Sequence, residues 1–112
     1  MKYIGLAFSL SMLEVAPCDL KVIPMTPEEV KAEMPELQSC CNPSHGATLQ
    51  ALKDKYGIDV PVPATPPRVT LTGGDSIIVI QVSGLPRLTD RHEYTPGEID
   101  RAKFSFLWVF MK

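Results

Sequence analysis

Apolar and polar positions alternate in blocks along the chain, and the spacing inside each block predicts an element. Residues 3–8 form a short apolar run that contains Gly5 and stops at Ser9, which reads as a strand. Residues 20–25 read as a second strand, closed by a turn around Pro24 to Thr26. Thr26, Pro27 and Glu29 then make a helix start: Thr caps, Pro is tolerated in the first turn, and a carboxylate three residues past the cap returns a hydrogen bond. That helix carries Val30 and Met34 on one side and ends before Pro35, and residues 35–42 are a connector. A second helix follows, with Asn42 or Ser44 as its cap, Pro43 near its first turn, Leu49, Leu52 and Tyr56 at helical spacing, and Gly57 as its stop. Four residues before Leu49 lies His45, so the pattern puts an imidazole in the first turn, at the head of the buried stripe.

Prolines at 61, 63, 66 and 67 make residues 58–67 a stiff extended connection. Residues 68–71 read as a strand, Gly73 and Gly74 as its turn, and residues 76–82 as the next strand. The unbroken apolar run 77–80 predicts that this strand is central and covered on both faces. Residues 83–94 are a polar loop, residues 95–101 a short helix or turn capped by Thr95, and residues 104–110 an aromatic last strand whose Trp108 and Phe110 suit burial against a partner subunit. The expected fold is α/β: a mixed, about five-stranded sheet flanked by two or three helices, with a parallel pair across a crossover, in one domain spanning 1–112.

Composition narrows the function classes. The 112 residues are 45% hydrophobic and 21% charged, which excludes wholesale disorder. With 11 basic and 13 acidic side chains there is no stripe for duplex nucleic acid, so a nucleic-acid ligand must be small and held in a pocket. Cys18, Cys40 and Cys41 are odd in number and two are adjacent, which is no disulfide framework and points to a reducing, cytoplasmic setting. No run has the length of a membrane span or the order of a signal peptide, so no membrane partner is expected.

The candidate chemistry is sparse. No phosphate-binding glycine loop is present, and two histidines with an adjacent cysteine pair do not make zinc spacing, so neither metal nor cofactor is expected. Ser9 and Ser11 lack the glycine pattern of a nucleophile elbow and read as hydrogen-bond donors after a strand. His45 lies beside free N–H groups and the positive end of a helix dipole, where a phosphate binds and an imidazole can give a proton to a leaving oxygen. The alternative is a histidine at the edge of the core. Arg68 and Arg87 each offer a guanidinium fork for a phosphate, Asp90 can orient Arg87 or a ribose hydroxyl, and Arg91 and His92 are less specified. Each of these also reads as an ordinary surface charge.

Several segments, taken in order, resemble a known family. The opening YIGLAFSLSML, the middle NPSHGAT, the stretch PRVTLTGGDSIIVIQ and the loop GLPRLTD, followed by an aromatic last strand, resemble the small DUF1874 proteins of archaeal viruses and bacteriophages. That family contains viral ring nucleases that act as type III anti-CRISPR proteins. The resemblance implies a symmetric homodimer, active in the host cell cytoplasm, whose cleft binds cyclic tetra-adenylate and cleaves it without metal to linear products with 2′,3′-cyclic phosphate ends. By position, His45 falls on the family's catalytic histidine, Arg87 on its loop arginine, Asp90 on its loop glutamate and Arg68 on the arginine before the hairpin. Ser9, Ser11, Ser44 and Gly46 fall in segments that line the ligand cleft. The chain departs from the pattern at Leu6, where Asn is usual, at Asp90, one methylene shorter than Glu, and at Ser44 and Gly46, where Gly and Glu are usual. Two other readings stand beside the nuclease: a sponge that binds a cyclic oligonucleotide without cutting it, and a structural or protein-interaction dimer.

Overall fold

The computed structural model describes residues 1–6, 8–13, 18–65, 67–84 and 94–111, with backbone only for Leu10 and Ser44. Five strands, β1 (Lys2–Gly5), β2 (Leu20–Met25), β3 (Gln38–Ser39), β4 (Ser76–Ser83) and β5 (Lys103–Met111), form one sheet in the order β2-β5-β4-β1-β3. β1 runs parallel to both its neighbours, β3 and β4, and β5 runs antiparallel to β4 and β2. Three helices, α1 (Pro27–Glu33), α2 (Gly46–Tyr56) and α3 (Pro96–Arg101), accompany the sheet. The mixed five-stranded α/β architecture expected from the pattern is therefore present. α2 is the crossover that carries the chain from β3 to β4, on either side of β1.

β4 is central, as its apolar run predicts, and residues 76–80 are all buried. Its side chains alternate between two cores. Ile78 and Ile80 pack with Ile4, Val30, Leu49, Leu52 and Phe106 on the side of α1 and α2. Ile77 and Val79 pack with Tyr3, Val69, Leu71 and Val109 on the other. Leu49 and Leu52 are the stripe of α2, and Tyr56 meets Phe104 edge-on at 5.9 Å between ring centres. Gly57, at φ 71°, closes α2 in the left-handed conformation that only glycine adopts without cost.

The same four-residue pattern, Thr-Pro-x-Glu, opens both α1 and α3. Thr26 accepts the Glu29 N–H at 3.2 Å while the Glu29 carboxylate accepts the Thr26 N–H at 2.9 Å. Thr95 and Glu98 repeat those distances. α1 stops at Glu33 and tightens into a 3-10 turn, Met34–Glu36, because Pro35 supplies no N–H. α3 has a further anchor: the Lys55 ammonium of α2 donates to the carbonyls of Ile99, Asp100 and Ala102 at 3.3, 3.0 and 2.6 Å.

Three expectations are corrected. The first strand is Lys2–Gly5, not residues 3–8, because the chain bends at Leu6. Residues 68–71 are not a strand; Leu71 alone makes a parallel bridge to Leu13, its N–H reaching the Met12 carbonyl at 2.6 Å. The reason is topological: both edges of β4 are taken by β1 and β5, so no hairpin partner fits beside it. The fifth strand is instead β3, inside the segment read as a connector, paired at Tyr3 with Gln38 and Ile4 with Ser39.

Candidate functional site

Because β1, β3 and β4 are parallel, their carboxyl ends emerge at one edge of the sheet. That edge of a parallel sheet is where backbone groups and loops are free to form a crevice. Here a cleft of about 560 Å³ opens, lined by Leu6 and Phe8 after β1, His45 and Thr48 at the start of α2, and Val79 to Val82 at the end of β4. It is wide enough for a nucleotide-sized group.

His45 reaches the cleft through a local accident of the chain. Residues Pro43–His45 form a 3-10 turn, closed by the His45 N–H on the Asn42 carbonyl at 2.9 Å, and α2 begins immediately after. His45 is thus the N-cap of α2, at φ −94° and ψ 11°, and makes no side-chain cap. Neither Asn42 nor Ser44 holds the capping position read from the sequence. The non-helical backbone at His45 turns its side chain off the buried stripe, and the residue is exposed rather than at the edge of the core. The amides of the first turn of an eleven-residue helix are left without intrahelical acceptors beside it, so this corner favours an anion.

The polar groups of the lining are the His45 imidazole, the Thr48 hydroxyl and the Gln81 amide; Asp and Glu are absent from it. Ser105 donates its hydroxyl to Gln81 Oε1 at 3.1 Å, which leaves the amide N–H₂ as the group Gln81 can offer. The remaining walls are apolar, and Phe8 and Leu6 give them flat surface. This is a pocket for an anion carrying a planar apolar group.

The other sequence candidates are placed as follows. Ser9 and Ser11 are exposed and bonded to each other at 2.9 Å, just beyond Phe8 and outside the cleft lining. Gly46 opens α2, and a Cβ built there meets nothing within 4 Å, so packing does not require glycine. Arg68 is exposed and outside the cleft lining. Arg87, Asp90, Arg91 and His92 lie outside the described residues, as does the side chain of Ser44. Sequence reasoning missed Thr48 and Gln81. Thr48 is three residues from His45 and shares its helix face, and Gln81 is the first polar residue after the apolar run of β4, so both carried a readable signal.

Behind the cleft sit two protonated thiols. Cys40 Sγ lies 3.3 Å and Cys41 Sγ 4.0 Å from the Ile4 carbonyl oxygen. Burial, with the neighbouring Cys41 adding to it, pushes the Cys40 thiol up to about 11, and burial raises Cys41 as well. They are packing groups rather than nucleophiles at neutral pH.

No protein-family model matches the chain, and no curated protein matches it in sequence. Among solved structures, it is similar to the B116 protein of Sulfolobus turreted icosahedral virus, with a TM-score of 0.69 and 20% identity over 97% of either chain. At that identity the likeness is one of fold, and it is to a viral protein of the same length class.

Proposed function

We propose that the protein is a metal-independent ring nuclease that linearises cyclic tetra-adenylate, acting as a homodimer in the cytoplasm of a virus-infected host to silence type III CRISPR signalling. The observation that carries the reading is the exposed imidazole of His45 at the amino end of α2, in a cleft free of carboxylates. The ordered resemblance to the viral DUF1874 family and the fold shared with a viral protein support it.

In this reading a ribose 2′-hydroxyl attacks the adjacent phosphorus, its proton passing to solvent, and the bond from phosphorus to the 5′ oxygen breaks. His45 gives its proton to that departing oxygen. The free amides at the start of α2, in the segment of Ser44 and Gly46, hold the phosphate. Arg87 and Arg68 neutralise charge on the phosphoryl oxygens, Asp90 orients Arg87, and Ser9 and Ser11 contact the ligand rim. Two subunits related by a two-fold axis place one His45 at each of two opposite phosphodiesters of the ring.

The test is incubation of purified protein with cyclic tetra-adenylate in EDTA, with separation of the products. Linear fragments ending in 2′,3′-cyclic phosphate are expected, and His45→Ala lowers the rate at least ~10- to 100-fold while binding persists. Intact ligand recovered after denaturation rejects the nuclease, and if that sample had bound the ligand the protein is a sponge. A His45→Ala rate equal to wild type rejects the general acid.

A further inference from the structure

The cleft does not end at Val82. A recess of about 260 Å³ adjoins it, lined by Gln81, Val82, Ser83, Lys103, Phe104 and Ser105. Gln81 and Val82 belong to both cavities, so the two form one trough running off the carboxyl end of β4 onto the amino end of β5. Ser83 lies two residues beyond Gln81, about 7 Å further along the strand. Lys103 is its direct partner across the ladder, since the register pairs Ser83 with Lys103 and Gln81 with Ser105.

The chemistry of this trough is one-sided. In a chain with 13 acidic and 11 basic side chains, neither cavity has a carboxylate in its lining. The recess presents an ammonium, two serine hydroxyls and an amide, all on exposed residues. Lys103 makes no ion pair with any described residue, whereas Lys2 and Lys53 each meet a carboxylate within 4 Å. By contrast the small pocket between α2 and α3 includes Asp54. Half-buried Phe104 adds a ring face at the floor of the recess. Donors without acceptors, one fixed cation and an aromatic floor suit a phosphodiester with its base.

We infer that the Lys103 recess is a second phosphate subsite, holding a phosphate of an oligoribonucleotide neighbouring the one bound at His45. The inference rests on the reading of the cleft as an oligonucleotide site and adds the residue that extends it. Lys103 supplies the charge contact, and Ser83 and Ser105 supply hydroxyl donors. A ligand with a single phosphate fills the cleft alone, and one with consecutive phosphates spans both.

The experiment measures binding of fluorescently labelled cyclic tetra-adenylate across a salt series, for wild type, Lys103→Gln and Lys103→Arg. Lys103 is an exposed strand-end residue, and matching thermal midpoints verify that the variants fold. Lys103→Gln is expected to weaken binding about 3- to 10-fold and to reduce the slope of log affinity against log salt by about 0.7, the value for one lost phosphate contact on a single strand. Lys103→Arg restores both, and binding of adenosine monophosphate is unaffected by either substitution. If wild type binds the ring and Lys103→Gln binds it with the same slope, the subsite is rejected and the cleft reading stands. If wild type does not bind the ring at any salt, both are rejected.

Discussion

Gly5 ends β1 with its α-carbon against the Cys40 thiol, and a Cβ built on it comes 2.6 Å from Cys40 Sγ. Its next neighbour, an Ile77 side-chain carbon, is at a comfortable 3.9 Å, so the conflict is with one atom. Gly5→Ala must therefore displace that sulfur. The thiol can swing away only by giving up its 3.3 Å contact with the Ile4 carbonyl, in a place where β1 and β3 are joined through the Cys40 N–H to the same oxygen at 3.0 Å. Overpacking of this kind costs about 1–3 kcal/mol, and with a rotatable thiol as the obstacle we expect about 2 kcal/mol. Removing the sulfur instead, Cys40→Ala, loses a small buried group at about 1 kcal/mol. The two losses must not add: in the double variant Gly5→Ala/Cys40→Ala the methyl enters the space the sulfur vacated, and it is expected to be no less stable than Cys40→Ala alone. Urea unfolding of the four proteins gives the coupling energy, expected to be about 2 kcal/mol in favour of the pair. Losses additive to within ~0.5 kcal/mol refute the steric argument.

Two further predictions concern stability. Thr26→Ala and Thr95→Ala each remove one half of a capping box and are expected to cost about 1 kcal/mol, with serine recovering most of it; a urea midpoint unmoved by either substitution contradicts the cap assignment. The Asp75 carboxyl is held below its ordinary value by the Met1 ammonium first and by the Thr72 N–H and hydroxyl after it. A carboxyl whose value is depressed by folding contributes stability above its unfolded value near 3.9, and that contribution is lost as pH falls through the lower folded value. Asp75→Asn is thus less stable than wild type at pH 7, and the difference closes between about pH 5 and the acid limit; a difference independent of pH shows that the charge is irrelevant.

Local chemistry was legible in the chain, and pairing was not. The Thr-Pro-x-Glu starts, Gly57 and the run 77–80 act on their own neighbours, so α1, α3, the end of α2 and the central place of β4 could be read directly. β3 could not, because two residues carry no periodicity and Gln38–Ser39 is a strand only by virtue of β1 beside it. Residues 68–71 have strand composition, but the edge they needed was occupied by β5. The site divides the same way. His45 was found by its place near a helix start, yet its exposure follows from a 3-10 turn that displaces the cap by one residue, which spacing from Leu49 does not encode. The recess at Lys103 exists only because β5 returns alongside β4, a pairing of residues twenty apart in the chain at Ser83 and Lys103.

Lys55 has a consequence for how the molecule comes apart. A helix of six residues is far too short to persist in water, and even a good capping box cannot meet the cost of its nucleation. α3 therefore borrows its persistence: its carbonyl end is closed by an ammonium that belongs to α2, and its first and last turns have no comparable alternative acceptor or donor among the described residues. Opening of the end of α2 releases α3 in the same event, whereas release of α3 leaves α2 standing. The helix that presents His45 at one end thus governs, at its other end, a dependent unit that follows it in every sub-global unfolding excursion.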